Sequence, residues 1–440
     1  MEVLILNTSE RTGGAAVAAN RLMNALCKQG VEANMLVRDK QSEDERVISV
    51  NHSWFQRRLN FLRFVWERLV IFLCNKLNRK DLFRVSIANT GVNLAAHPLV
   101  KEADVIHLHW INQGFLSLKG LRQLIATGKP IVWTMHDMWP ATAICHHART
   151  CECFQTLCQN CFYLDSHHAD LSTFIFSRKN KLYTNSTMTF VCCSKWLMNR
   201  AVKSQLLQQR KVLSIPNPIN IMLYHPLDKQ QAREQFGLPI NKTLLLFGAL
   251  NVMDERKGID FLIKALRLLP SDSVELVVFG QVKDQIEEML PVRIHAMGYL
   301  SDDQKIAQLY SAVDMFVTSS LEENLPNTIM EAMACGTPCV GFQTGGIPEM
   351  IDHEQNGYVA HYQDAKDLAT GIQWVINHPD PEALRQACVE KVRTHYAEAV
   401  VAQQYINYVA LCKALGGGWE RPSGPPENAF GSAPPGRKPG

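Results

Sequence analysis

The fold is decided by the stretch Ser319-Ser320-Leu321-Glu322-Glu323-Asn324-Leu325-Pro326-Asn327-Thr328-Ile329-Met330-Glu331-Ala332-Met333-Ala334-Cys335-Gly336-Thr337-Pro338-Cys339-Val340. The apolar run Met315 to Val317 ahead of it predicts a buried strand. A Ser/Glu/Asn/Pro loop follows. A helix is predicted from about Pro326 to Ala334, stopped by Gly336 and Pro338. A second apolar run opens at Cys339. Strand, loop, helix, strand places the loop amides and the helix N-terminus at the carboxyl ends of parallel strands, where open α/β sheets bind ligands. Two carboxylates lie eight positions apart, Glu323 in the loop and Glu331 on the helix. Taken alone they read as a capping carboxylate and a solvated helical Glu, since helix N-termini favour acids.

The flanking sequence repeats the pattern. Thr243 to Phe247 predicts a strand ending at Gly248. A charged loop from Leu250 to Gly258 carries Asp254, Glu255, Arg256 and Lys257, and a helix runs on to Leu269. Strands are predicted at Val274 to Phe279 and Arg293 to Met297, and a helix at Asp303 to Ala312. After Gly345-Gly346-Ile347-Pro348-Glu349 come three helices, roughly Ala365 to Asn377, Ala383 to Arg393 and Ala397 to Ala414. The first half reads the same way. Strand Val3 to Asn7, a loop to Gly14, helix Ala15 to Lys28 and strand Val31 to Val37 make a βαβ unit. Its Gly-Gly turn at the helix start lets a backbone approach a phosphate or a sugar. Strands at Ala103 to Leu108 and Pro130 to Thr134 flank a helix from Leu118 to Thr127. They end in His107-Leu108-His109-Trp110 and His136-Asp137. Phe190 to Cys193, the helix Trp196 to Leu207 and Val212 to Ile215 complete this half. The rigid break Pro216-Asn217-Pro218 marks a boundary. The expectation is an α/β chain of two Rossmann-like, doubly wound domains facing across a cleft. Residues 1–216 and 217–395 form the domains, 396–415 a C-terminal helix, and the Gly/Pro-rich 416–440 a disordered tail.

Length and composition fit this. The chain has 440 residues, 46% hydrophobic and 20% charged, with a formal net charge of +3, which gives no general argument for nucleic acid. The charge is uneven. From Trp54 to Val85 eight Lys/Arg face only Glu67 and Asp81, a local net of +6 that leaves −3 for the remainder. In that segment Leu59, Leu62, Trp66, Leu69 and Leu73 recur at helical spacing among Arg57, Arg58, Arg63 and Arg68. This predicts an amphipathic helix lying on an anionic membrane surface, or else one packed on its own domain. No uncharged apolar stretch is long enough to span a membrane. The 13 cysteines and the strand that follows directly on Met1 and Glu2 suggest a reduced, cytoplasmic protein, at most peripheral at the cytoplasmic face of the inner membrane. Clustered cysteines then suggest metal before disulfide. Cys145, Cys151, Cys158 and Cys161, beside Cys153, His146 and His147, are the candidate ligands of a structural zinc, with unbound thiols or a disulfide as alternatives.

These residue types suit an anionic donor such as a nucleotide sugar. Arg256 and Lys257 at a helix start can hold a diphosphate. Glu331 can accept from a ribose diol. Glu323 and the backbone of Asn324, Leu325, Pro326 and Asn327 can hold sugar hydroxyls, and His136 can reach the sugar from the opposite domain. At this point the chain resembles the retaining GT-B glycosyltransferases of family 4 (group 1), in particular the bacterial capsular and exopolysaccharide kind. The resemblance rests on Glu323 to Glu331, Arg256-Lys257-Gly258, Gly345 to Glu349, Ile215-Pro216-Asn217 and Thr134 to Asp137, and it covers about residues 1 to 412. It implies that Glu331 binds ribose, Glu323 sits by the sugar, Lys257 neutralises the leaving diphosphate and His136 touches the sugar. It further implies that Gly14 lines the phosphate side and Tyr299 edges the nucleobase. The expected activity is transfer of a hexosyl group, with retention, from a UDP- or GDP-sugar to a saccharide acceptor, lipid-linked or free. No catalytic cation is expected. The competing expectation is a catalytically silent nucleotide-sugar-binding subunit on the same fold. Two positions depart from the pattern. Ala249 and Leu250 stand where relatives carry a phosphate-binding Arg, and Asn324-Leu325-Pro326 replaces a Gly-Phe-Gly.

Overall fold

The computed structural model describes residues 1–165, 170–270, 274–281 and 289–414; the Gly/Pro-rich tail expected at 416–440 lies outside them. The described residues form two parallel sheets. The first has the order β3-β2-β1-β4-β5-β6-β7, with β1 Glu2–Ser9, β2 Glu32–Asp39, β3 Val47–Ser49, β4 Val105–Leu108, β5 Ile131–Met135, β6 Thr189–Cys192 and β7 Lys211–Ser214. The second has the order β10-β9-β8-β11-β12-β13, with β8 Thr243–Asn251, β9 Val274–Gln281, β10 Ile294–Gly298, β11 Met315–Thr318, β12 Cys339–Phe342 and β13 Gly357–Ala360. Every strand pair is parallel. Helices cover both faces, so the strands read as continuous apolar runs: Val3 to Leu6 and Leu244 to Phe247 are all buried. The two doubly wound domains of the expectation are therefore present.

In each sheet the winding reverses direction once, between β1 and β4 and between β8 and β11. A crevice opens at such a point because the loops on either side leave toward opposite faces. The loops after β1, β8 and β11 are the ones that carry Gly14, Lys257 and Glu323.

Helix α1 (Gly14–Lys28) follows β1, but two other helices depart from the simple picture. The C-terminal helix Glu398–Ala414 leaves the second domain and returns to the first. There Val401, Ala402, Tyr405 and Tyr408 join one apolar cluster with Val3, Ile5 and Leu22. The Tyr405 hydroxyl is 2.9 Å from Thr134 Oγ1.

Helix α2 (Trp54–Cys74) is inverted. Its buried positions are Asn60, Glu67, Arg68 and Ile71, mostly polar. Glu67 accepts from the amides of Ile87 and Ala88, both at 2.8 Å, and pairs with Arg68 at 3.0 Å. Arg68 donates to the Leu82 and Val85 carbonyls. Trp54 (70% exposed), Phe55 (67%), Phe61, Leu62, Trp66 and Leu73 face outward. The expected amphipathic helix is present, but Arg68 belongs to its inner face.

The expected zinc site does not take shape. Cys145, Cys151, Cys153, Cys158 and Cys161 line one small cavity and are all free. Among the described residues no group of three or more His, Cys, Asp or Glu side chains is placed to hold a metal ion. Burial pushes the thiols of Cys145, Cys158 and Cys161 up to about 12. The short turn Cys153–Gln155 leaves Cys153 exposed.

Candidate functional site

The opening stretch folds as predicted. β11 ends at Thr318, and the helix Asn327–Ala334 starts behind Pro326 and stops at Cys335 and Gly336. Two glycines press on the loop between them. Gly258 has φ +63°, and a Cβ there would lie 2.2 Å from the Ser319 carbonyl oxygen. Gly345 has φ +57°, and a Cβ would lie 1.8 Å from the Glu323 carbonyl oxygen. Only glycine fits either position. The loop is thereby held in contact with both the Arg256-Lys257 turn and the Gly345-Gly346 turn.

A cavity of about 660 Å³ lies between the domains at the facing switch points. Gly14 and His136 line it from the first domain, and Arg256, Lys257, Glu323 and Asn324 to Asn327 from the second. Lys257 Nζ and Glu323 Oε1 form an ion pair. Arg256 is held by Asp254, whose carboxylate accepts from Nε and Nη2. His136 Nε2 lies 2.8 Å from His109 Nδ1. Burial draws His136 down to about 4, so its ring is neutral near neutral pH. Burial would raise Asp137, but His146 at 2.7 Å holds its carboxyl at about 2. The adjacent positions 136 and 137 thus present a neutral imidazole and a fixed negative charge.

Asn324 and Asn327 stitch the domains together. Asn324 Oδ1 accepts from Ser194 Oγ at 2.6 Å, and its amide donates to the His136 carbonyl at 3.1 Å. Asn327 donates to the Gly14 carbonyl and accepts from Asn217, both at 3.2 Å. Glu349 accepts from the amides of Lys195 and Trp196 at 2.8 and 2.6 Å, closing the N-terminus of the helix Lys195–Ala201.

Two expected site residues stand apart from this cavity. Tyr299 is 64% exposed and does not line it. Glu331 is buried beside it. Its Oε1 accepts from Arg21 Nη2 at 2.7 Å, and its Oε2 accepts from Tyr310 at 3.2 Å. Arg21 also donates to Tyr224, which donates to Asp303. Burial pushes the Glu331 carboxyl up and Arg21 pulls it back, with burial the larger effect. Burial opposes the charge on Arg21, but Glu331, Tyr224 and Asp303 together outweigh it and hold the guanidinium firmly protonated. Sequence reading missed Arg21 because a single Arg in an Ala-rich helix looks like a surface charge. The signal lies in its partner, 310 positions away. It also missed His109 as the partner of His136, although both stand just past neighbouring strand ends.

Comparisons with known proteins agree with the two-domain fold. Residues 12–222 match the family described as Glycosyltransferase Family 4, and residues 228–395 match Glycosyl transferases group 1. The chain is 24% identical over 362 residues, 80% of its own length and 85% of the relative's, to WcaC of Escherichia coli, a glycosyl transferase assigned by its name to colanic acid biosynthesis. Its fold is similar to that of sucrose-phosphate synthase from Thermosynechococcus elongatus, with a TM-score of 0.65 at 18% identity, covering 94% of this chain and 100% of the other. It is similar also to HepE of Anabaena in complex with UDP-glucose, with a TM-score of 0.59 at 17% identity, covering 93% and 100%.

Proposed function

Because the chain belongs to the GT-B glycosyltransferases of group 1 and family 4, we propose that it transfers a hexosyl group, with retention, from a UDP- or GDP-sugar to a saccharide acceptor in cell-surface polysaccharide synthesis. The observation that carries this reading is the convergence of Lys257, Arg256, Glu323 and His136 on one interdomain cavity. HepE, a relative in fold, is seen with UDP-glucose, and the name of WcaC supports a polysaccharide product. The convergence also favours an enzyme over a silent binding subunit.

Each residue then has a task. The diphosphate lies against the Gly13-Gly14 turn and against Arg256 and Lys257. Lys257 exchanges its Glu323 partner for a phosphate oxygen, which frees Glu323 to meet sugar hydroxyls. As the bond from the anomeric carbon to the diphosphate breaks, positive charge grows on the sugar and negative charge on the phosphate. Lys257 and Arg256 stabilise the second, and preorganised charge of this kind is usually the largest catalytic contribution. His136, neutral at working pH, hydrogen-bonds the sugar without competing for the phosphate. The ribose diol is assigned to Glu331, which lies behind the cavity wall, held by Arg21 and Tyr310. A carboxylate offers about four lone-pair sites, and Arg21 and Tyr310 use one on each oxygen, so acceptor capacity remains. The two cationic side chains serve where other transferases use a metal, so turnover should persist in excess EDTA.

The acceptor is proposed to be lipid-linked. The outward apolar and basic face of α2 is suited to an anionic bilayer, and no helix among the described residues is long and apolar enough to cross one. The test of the enzymatic reading is release of nucleoside diphosphate from a panel of UDP- and GDP-sugars, with Glu323→Gln as control. Release by the wild type that falls at least about a hundredfold in the variant, in line with loss of one charged contact to the transition state, supports the reading. No release from any member of the panel contradicts it.

A further inference from the structure

A second cavity, of about 550 Å³, opens on the far side of the Glu323 loop. It meets the first at a shared rim formed by Asp137, His147, Arg256, Glu322, Glu323 and Asn324. Its outer wall is different in character. Trp196 and Leu197 from the first domain and Leu321 and the half-exposed Tyr362 from the second give it an apolar, aromatic lining.

Two of the three arginines around it are paired with carboxylates. Arg149 pairs with Glu322 Oε1 at 2.5 Å. Arg256 pairs with Asp254. Arg200 donates to the Arg149 carbonyl, and its guanidinium lies over the Trp196 ring, 5.6 Å from its centroid. Arg149 is thus taken up by Glu322, Arg200 is held by a carbonyl and an aromatic ring, and Arg256 also lines the first cavity, where the donor diphosphate is assigned. What is left over is an acceptor. Glu322 Oε2 is buried with no hydrogen-bond partner, and His147 Nδ1 is 4.0 Å away. A buried carboxylate oxygen without a donor is costly and usually marks a place where a donor arrives.

Aromatic faces beside a small number of polar groups suit a ligand with apolar C–H faces and hydroxyl edges. We propose that this second cavity is the acceptor site, that it takes an uncharged pyranose ring against Trp196, and that Glu322 Oε2 accepts the hydrogen of an acceptor hydroxyl at the shared rim. The proposal rests on the glycosyltransferase reading and adds the class of acceptor to it. In the transfer the acceptor oxygen forms a bond to the anomeric carbon while the bond from that carbon to the diphosphate oxygen breaks. The electron pair stays on the diphosphate, and the acceptor proton passes to the departing phosphate oxygen. Glu322 is a positioning residue here: it aims the hydroxyl and takes up no proton.

The test is saturation-transfer NMR with methyl glucoside, methyl galactoside, methyl mannoside and methyl N-acetylglucosaminide, each with the full-length protein saturated with UDP or GDP. Methyl glycosides carry no tail that could adhere to α2. At least one should bind the wild type. Trp196→Ala and Glu322→Gln should each weaken it about tenfold, the ratio that corresponds to about 1.4 kcal/mol. Trp196→Phe should retain most of the binding. Nucleotide affinity in the two Trp196 variants should stay within about twofold of wild type, which also shows that they are folded, and a cooperative thermal transition shows the same for Glu322→Gln. The proposal is overturned if no glycoside binds a wild type that binds nucleotide, or if Trp196→Ala binds as the wild type does. It is also overturned if glucose 6-phosphate or glucuronate binds more tightly than every neutral glycoside. A wild type that binds neither UDP nor GDP marks failure of the glycosyltransferase reading instead.

Discussion

Replacing Arg21 by Met should weaken the protein in a way that depends on pH. The guanidinium is buried and contacts Glu331 at 2.7 Å. The substitution keeps most of the side-chain volume but leaves Glu331 with the Tyr310 hydroxyl, at 3.2 Å, as its remaining side-chain donor among the described residues. Removing one partner of a buried ion pair costs about 3–5 kcal/mol, because the other charge stays desolvated. For a domain of this size each kcal/mol shifts the melting temperature by about 2–4 °C, so a fall on the order of 10 °C is expected at pH 8. The sign of the pH effect follows from Glu331. Its folded-state carboxyl is raised by burial and lowered by Arg21, so without Arg21 it rises further. A raised carboxyl pKa means that the folded protein holds the proton more tightly than the unfolded chain. The associated stability is present in full below the unfolded value and is lost as pH rises through the folded value. The deficit of Arg21→Met should therefore be largest at pH 8 and shrink toward pH 5. The double variant Arg21→Met with Glu331→Gln should recover much of the loss. Thermal unfolding followed by circular dichroism across this pH range measures all three proteins. A single variant within about 0.5 kcal/mol of wild type at pH 8, or a deficit that does not change with pH, refutes the argument.

Glu67→Gln on the inner face of α2 should destabilise the first domain by about 3 kcal/mol, since Arg68 loses its buried counter-charge; urea unfolding reads this out. The outer face of α2 should bind phosphatidylglycerol vesicles in low salt, and Trp54→Ser with Phe61→Ser should abolish cosedimentation without lowering stability. A wild type that ignores such vesicles but dimerises in the ultracentrifuge would show that a second copy covers this face. With a thiol reagent, the exposed Cys74 and Cys153 should label first. Cys145 and Cys158, pushed up to about 12 by burial, should label only on unfolding. Equal rates for all four would contradict the buried arrangement.

How much of this was legible in the sequence depends on the range of the interaction. The runs Val3 to Leu6, Leu244 to Phe247 and Met315 to Val317 announce strands because parallel strands covered on both faces have no polar positions. The Glu323 loop was legible because glycine and proline bracket it locally. Short edge elements were not: β3 and β13 have three and four residues, too few for a periodicity. The helix Leu171–Thr184 was missed because its stretch mixes apolar, basic and polar residues without a clean stripe, and Lys179 is buried against the Trp139 ring. The Arg21–Glu331 pair and the return of Tyr405 to Thr134 join positions hundreds of residues apart, which no local pattern encodes. The cysteine spacing suggested zinc, but spacing along the chain does not by itself bring ligands together, and among the described residues no three are placed to hold a metal ion. The inverted face of α2 was half legible: the stripe was visible, but Glu67 and Arg68 as its anchors were not.

The central claim is that the interdomain cavity holds a nucleotide sugar through Lys257. Calorimetric titration of UDP, GDP, UDP-glucose and GDP-mannose into wild type and Lys257→Ala tests it most directly. At least one nucleotide should bind the wild type, and the variant should bind it at least about tenfold more weakly, as expected for a hydrogen bond to a charged group worth about 1.5–3 kcal/mol. Binding that is undiminished by Lys257→Ala, or no binding of any of the four to the wild type, contradicts the account.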